Sequence, residues 1–160
     1  MNFNNFKLHI MNLTWYHKHF KDLTTNELYQ ILQLRNEVFI VEQNCPFQDL
    51  DDKDFKCFHL LGFDTDSQKI LAYTRIVPKG VSYEEASIGR VVTSPLARGR
   101  GIGKVLMLKS IELLEELYGG LPIKIGAQYY LKKFYESLGF QQVGEIYLED
   151  GIEHILMDRI

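Results

Sequence analysis

Three glycines at alternate positions, Gly99, Gly101 and Gly103, stand between a strand-like run ending at Ser94-Pro95 and a long amphipathic stretch. No other feature restricts the fold of this chain as tightly. Glycine reaches backbone conformations closed to other residues, so such a turn can aim consecutive N–H groups at one anion. The helix that follows adds unpaired amides and the positive end of its dipole. Arg98, Arg100 and Lys104 surround the turn with positive charge. A diphosphate suits it. The spacing excludes two nucleotide motifs: a dinucleotide fold needs glycine where Lys104 stands, and a P-loop needs glycine and a hydroxyl where Arg98 and Val105 stand. Taken alone, the turn is equally a bare connection between strand and helix.

The remaining segments alternate between strand and helix signals. Leu13 to Tyr16 reads as a short strand. Thr24-Thr25-Asn26-Glu27 is a capping box, with Leu23 and Leu28 placed for a hydrophobic staple. Leu28, Ile31, Leu32, Arg35, Val38 and Phe39 then recur at helical spacing. The acidic run Gln48 to Asp54 reads as a loop, most simply a solvated connection, with attraction of a cationic amine as its functional alternative. Lys56 to Phe63, Ile70 to Val77 and Ala86 to Thr93 read as strands. A helix from about Gly101 to Tyr118 carries Ile102, Leu106, Ser110, Leu113 and Leu117 on one face and stops at Gly119-Gly120. Pro122 to Ala127 reads as a buried strand and Tyr129 to Leu138 as a short helix. Asp150-Gly151 turns a terminal hairpin that pairs Glu149 with Ile152 and Tyr147 with His154, with Glu145 on the same face. The order of elements predicts an α/β (α+β) domain with one mixed sheet.

At 160 residues the chain suits a single domain; residues 1–10 read as an extension, with Met11 as the alternative natural start. Net charge is -3, and the 18 Lys and Arg are scattered, so nothing in the sequence predicts a phosphate-tracking nucleic-acid surface. No apolar run is long enough to span a bilayer, and Met1 to Lys7 lacks the apolar core of a signal peptide. Cys45 and Cys57 lie in neither CxxC nor metal-ligand spacing. These features predict a cytoplasmic protein with reduced structural cysteines and no metal, membrane or nucleic-acid partner. Apolar Ile152, Ile155 and Met157 on the terminal hairpin offer a homodimer contact.

The spacing Arg98-x-x-Gly101-x-Gly103, in its strand–turn–helix setting, resembles the pyrophosphate motif of the GNAT superfamily of acetyltransferases. Further on, Gln128-Tyr129-Tyr130-Leu131-Lys132-Lys133-Phe134-Tyr135-Glu136-Ser137-Leu138-Gly139-Phe140 resembles that superfamily's second signature. Val38 to Gln43, Ile88 to Val92 and Glu149 to Ile155 are similar to its ElaA-type branch. The resemblance implies a GNAT-like mixed, mostly antiparallel central sheet flanked by helices and splayed at the fourth strand. It also implies acetyl-CoA as cosubstrate. Backbone groups of Val91, Val92 and Thr93 would hold the pantetheine arm, and an N–H of that stretch would polarise the thioester carbonyl. The pyrophosphate would rest on the amides of Arg98, Gly99, Arg100, Gly101, Ile102, Gly103 and Lys104. Gln128 stands where many relatives contact CoA through asparagine, and Thr93 where the branch often has an apolar residue.

Tyr135 matches the superfamily's general-acid position; a phenol with a pKa near ~10 can donate to a thiolate without being ionised at neutral pH. The base is open. His154 is a base candidate because imidazole as a residue type suits an acceptor of the ammonium proton, yet a lone strand histidine is also a common packed residue. Glu42, after an apolar run, is a further base candidate, or binds a cationic substrate, or pairs with Arg35 or Arg90. His59, in an apolar strand, reads as core. Ordered water is the remaining route for the proton.

The activity expected is transfer of an acetyl group from acetyl-CoA to a primary amine of a small molecule or peptide, directly and within a ternary complex. Neither cysteine lies near the motifs, which argues against a thiol intermediate. A non-catalytic acyl-CoA-binding or sensing module is the alternative, and a longer acyl-CoA donor keeps the chemistry.

Overall fold

The computed structural model describes residues 12–120 and 122–160. The expectations for residues 1–10 and Met11 lie outside the described residues. In chain order the elements are β1 (Leu13–His19), α1 (Thr25–Arg35), β2 (Phe58–Asp64), β3 (Lys69–Val77), β4 (Ser87–Thr93), α2 (Ile102–Tyr118), β5 (Ile123–Gln128), α3 (Lys132–Glu136), β6 (Gln141–Glu149) and β7 (Ile152–Arg159). The order matches the sequence expectation. Strand and helix ends shift by a few residues, as terminal hydrogen bonds commonly allow.

Strands β1 to β4 pair in sequence order as an antiparallel sheet, and β5, β7 and β6 form a second antiparallel sheet with β7 central. The two meet at one parallel bridge, Ala86 to Ile123, reinforced by the Lys124 N–H donating to the Ala86 carbonyl at 3.1 Å. Beyond that bridge no ladder joins β4 to β5 among the described residues. The expected single mixed sheet is therefore two sheets held at one point. This is the splay implied for the fourth strand.

Burial explains why the strands lie where they do. Strand β3 reads KILAYTRIV, and all of it after Lys69 is buried, because helices cover both of its faces. On one side Leu106, Met107, Ser110 and Leu114 of α2 pack toward Leu71, Ala72 and Ile76. The one polar pair in that layer is satisfied: the Thr74 and Ser110 hydroxyls lie 2.7 Å apart, and Ser110 also donates to the Leu106 carbonyl at 2.7 Å. On the other side Ile31 and Leu34 of α1 pack toward Leu61, Tyr73 and Val92.

Helix α1 opens on the capping box expected of it, with Thr24 Oγ1 accepting the Glu27 N–H at 3.1 Å and Glu27 Oε2 accepting the Thr24 N–H at 2.8 Å. At its far end the helix widens into a π-helical segment, Asn36–Glu42, which helical periodicity alone does not distinguish from ordinary helix. Tyr129 to Leu138 is not one helix; a 3₁₀ turn, Tyr129–Leu131, precedes the short α3.

The hairpin has the expected register, Glu149 opposite Ile152 and Tyr147 opposite His154. The pairing slips between Val143 and Tyr147, where Gly144 takes a left-handed φ of 75°, so Glu145 sits in the irregularity and is exposed rather than grouped with His154. Ile155 and Met157 are fully buried in the main core, which removes them as a dimer contact.

Candidate active site

Where β4 and β5 part, a cleft of about 560 Å³ opens. Its walls come from β4 (Ile88 to Thr93), β5 (Ile125, Gly126, Gln128), the α3 region (Tyr130, Leu131, Phe134, Tyr135), the π-helical segment (Phe39, Glu42) and the hairpin (Glu149, Asp150, Ile152, His154). One edge of β4 is bound to β3; the edge facing β5 has no strand partner from Ile88 to Thr93 among the described residues. Unpaired main-chain donors and acceptors beside a cleft invite an extended ligand to complete the ladder.

The bound edge is irregular. Tyr73 pairs with Val92 and Arg75 with Gly89, so Arg90 and Val91 together oppose Thr74 in a β-bulge. Arg90 takes a φ of 52°, a left-handed conformation costing a non-glycine residue about 1 kcal/mol or more. Its guanidinium is held by Asp49: Nε donates to Oδ1 at 2.7 Å and Nη2 to the Asp49 carbonyl at 2.8 Å. The other Asp49 oxygen accepts from Nε of fully buried Arg35 at 2.9 Å. Asp54 accepts from Arg35 at 2.8 Å and from Arg75 at 3.1 Å, and Asp51 accepts from Arg75 at 2.7 Å.

This network corrects the expectation of a solvated acidic loop. Asp49 and Asp54 are buried because three arginines need counter-charges, and an unpaired charge in the interior is far more costly than an exposed one. Burial by itself would raise the Asp51 carboxyl, but hydrogen bonding and charge from Arg75, with the Arg90 charge behind it, hold it down at about 2.

After β4 the chain reaches the glycine turn. Gly99 and Gly101 have φ values of 77° and 72°, and a Cβ at either would meet nothing within 4 Å; conformation, not crowding, demands glycine there. Gly103 has no such φ and its added Cβ would touch only Phe134, at 4.0 Å. Helix α2 starts at Ile102 with no side chain capping its first amides. Arg98 and Gly103 line the cleft itself; Gly99, Arg100, Gly101, Ile102 and Lys104 form the turn at its rim. Glu42 pairs with neither Arg35 nor Arg90: its Oε1 accepts from Arg98 Nη1 at 2.7 Å. Gln128 donates to Gln43 Oε1 at 3.1 Å, tying β5 to the end of the π-helical segment.

Tyr135 is buried in the cleft wall, edge-on to Phe134 and Phe140, with ring centres 5.1 and 6.1 Å away. Burial pushes its phenol well above its ordinary value, so it stays protonated. His154 also reaches the cleft. Its Nδ1 lies 2.8 Å from the Ile152 carbonyl, which can only accept, so in the neutral ring Nδ1 carries the proton and Nε2 is left basic. That Nε2 is 3.9 Å from Glu149 Oε2, and the ring stacks on Tyr147 at 5.8 Å. His59 is core as expected, with Nδ1 2.7 Å from the Tyr73 hydroxyl and Nε2 3.1 Å from the Asp54 carbonyl.

Cys45 and Gly126 of the cleft wall, and Tyr83 beside Gly126, escaped sequence reasoning. Cys45 stands in the cleft wall, its thiol donating to the Asp150 carbonyl at 3.4 Å, which corrects the expectation that no cysteine lies near the motifs. A Cβ on Gly126 would lie 3.0 Å from the Tyr83 hydroxyl and 3.1 Å from that of Tyr147, so two phenols converge over β5. Burial, then the charges of Tyr83 and Glu149, push the Tyr147 phenol up to about 12. Tyr83 sits in a loop without any motif, and only folding brings it to β5.

Two antiparallel sheets parting beside a glycine turn that opens a long helix are the arrangement implied by the GNAT resemblance. The chain matches the acetyltransferase (GNAT) domain family over residues 35–160. It is 42% identical to the protein ElaA of Escherichia coli over 149 residues, 92% of this chain and 96% of that one. Among solved structures, an acyl-CoA N-acyltransferase from Pseudomonas aeruginosa superposes with a TM-score of 0.86 at 42% identity, covering 92% of this chain and all 100% of that one. The E. coli ElaA structure superposes with a TM-score of 0.85 at 41% identity, covering 92% and 99%. The chain therefore belongs to the GNAT acetyltransferase family, in its ElaA-like branch.

Proposed function

We propose that the protein is an N-acetyltransferase moving an acetyl group from acetyl-CoA to a primary amine of a small molecule or peptide, directly and within a ternary complex. The observation that carries this is the unpartnered edge of β4, which leads from the bulge at Arg90 toward the uncapped N-terminus of α2. The pantetheine arm completes that edge as a strand would, through the backbone of Val91, Val92 and Thr93. The pyrophosphate rests on the amides from Arg98 to Lys104, where the helix dipole favours negative charge. It competes with Glu42 for Arg98, and the carboxylate so released faces the cleft.

Attack of the amine on the thioester builds negative charge on the carbonyl oxygen. A backbone N–H of the bulge, already fixed in place, stabilises that charge without reorganising. As the carbon–sulfur bond breaks, the neutral Tyr135 hydroxyl donates to the departing CoA sulfur, and the second proton that the nitrogen sheds on becoming an amide restores the phenol through water. His154 Nε2 accepts the ammonium proton, directly or through water, while the Ile152 carbonyl keeps the ring in the required tautomer. Cys45 takes no covalent part; its thiol is committed to the Asp150 carbonyl.

Calorimetric titration with acetyl-CoA tests the donor site, with NADH and ATP as controls. Selective binding is expected, followed by amine-dependent CoA release in a panel that includes polyamines and peptides. Folded protein that does not bind acetyl-CoA would refute the proposal.

A further inference from the structure

We propose that Arg90 and Asp49 are positioning residues for the acyl transfer: their ion pair holds the β4 bulge in the conformation that presents its backbone N–H to the thioester carbonyl. This rests on the acetyl-CoA reading above. The bulge is the only point where β4 departs from its ladder with β3, and it lies in the cleft wall. Its left-handed residue is an arginine, although glycine occupies the neighbouring position 89 and would accept that φ without strain. What the arginine adds is an anchor. Its guanidinium meets Asp49 at two points, 2.7 and 2.8 Å, reaches Asp51 Oδ2 more loosely at 3.4 Å, and lies 5.9 Å from the centre of the Phe47 ring.

Asp49 is itself immobilised, because its second oxygen is bound by buried Arg35, which also binds Asp54. A chain of ion pairs therefore runs from the helix–loop core to one strained peptide of β4. A bulge without that anchor is free to rotate its peptide plane or to slip by one residue, and either change redirects the donor by far more than catalysis tolerates.

Replacing Arg90 separates this role from a merely structural one, since Asp49 keeps its bond to Arg35 and the buried network survives. Arg90→Ala removes the anchor and leaves a Cβ strained at a left-handed φ. Arg90→Gly removes the same anchor but relieves the strain, so the bulge conformation stays accessible. Isotope-edited infrared spectra of bound carbonyl-¹³C acetyl-CoA read the hydrogen bond to the thioester oxygen without needing an acceptor amine. The carbonyl stretch is expected at lower frequency in the unsubstituted protein than in solution, near the solution value in Arg90→Ala, and partly lowered again in Arg90→Gly. Affinity for CoA should fall less than turnover does, because the pyrophosphate turn is untouched and, of the stretch that holds the pantetheine arm, only Val91 lies in the bulge. Turnover of Arg90→Ala should fall about 10- to 100-fold, less than the roughly 100- to 1,000-fold of a donor lost outright.

An unchanged stretch in Arg90→Ala would overturn the proposal, as would equal loss in Arg90→Gly. Failure of the unsubstituted protein to bind acetyl-CoA would overturn the functional reading along with it; binding with an unshifted alanine variant would overturn this inference alone.

Discussion

Gly101 is the position at which backbone conformation and charge can be separated most cleanly. Its φ of 72° is left-handed, and no atom lies within 4 Å of the place a Cβ would occupy. Gly101→Ala therefore meets no steric clash, and its cost is conformational alone, about 1–2 kcal/mol. For a domain of this size that lowers Tm by roughly 2–8 °C, at about 2–4 °C per kcal/mol. Gly101→Glu carries the same backbone cost and adds a carboxylate at the rim proposed to hold the pyrophosphate. Two like charges about 4 Å apart repel by roughly 1 kcal/mol in water and about 4 kcal/mol at a protein surface. Affinity for acetyl-CoA should thus fall from about fivefold to several-hundredfold below that of the alanine variant, and further at low salt. Scanning calorimetry gives the first quantity, and titration with acetyl-CoA the second. Acetyl-pantetheine, which lacks the pyrophosphate, serves as the control and should bind the two variants equally. Equal acetyl-CoA affinities for Gly101→Ala and Gly101→Glu would refute the placement of the pyrophosphate, and an alanine variant as stable as the parent would refute the conformational argument.

Tyr135→Phe keeps the packing against Phe134 and Phe140 but removes the proposed proton donor, so kcat should fall about 100-fold or more with CoA affinity nearly intact, measured by steady-state rates and titration. Gly126→Ala would press a methyl against the Tyr83 and Tyr147 hydroxyls; the expected result is a raised KM for the amine with little change in acetyl-CoA affinity. Asp54→Ala strips one counter-charge from buried Arg35 and from Arg75 and should cost about 3–5 kcal/mol in urea denaturation. The Asp51 carboxyl, held at about 2 in the folded protein, contributes stability that is present above its unfolded value of ~4 and is lost as pH falls toward 2. Acid unfolding should accordingly be steeper between about pH 4 and 2 in the parent than in Asp51→Asn, followed by circular dichroism.

Several elements were legible without coordinates because their causes lie within a few residues. The Thr24–Glu27 capping box, the buried face of α2 at Leu106, Ser110 and Leu113, and the hairpin register around Asp150-Gly151 all follow from local backbone hydrogen bonding and side-chain period. The glycine turn was legible for the same reason: a positive φ at Gly99 and Gly101 is a demand on single residues. Periodicity could not show how α1 widens into its π-helical end, since both forms share nearly the same apolar spacing.

The arrangement of charges belonged to tertiary structure. Asp49 meets Arg35 14 positions away and Arg90 41 positions away, and Glu42 meets Arg98 56 positions away. Sequence alone therefore makes the acidic run a solvated loop although Asp49 and Asp54 are buried, and it offers Glu42 Arg35 or Arg90 where packing supplies Arg98. Cys45 reaches the hairpin 105 positions away, and Tyr83 reaches Gly126 from a loop without any motif. The strength of a charge or hydrogen-bonding group depends on what lies within a few ångströms of it and on how much water is excluded. Neither quantity exists until α1, the acidic loop and β4 are packed together. The sequence by itself determined the elements, their order and the glycine turn ahead of α2; only packing decided which residues face the cleft and which arginine pairs with Asp49 beside the bulge.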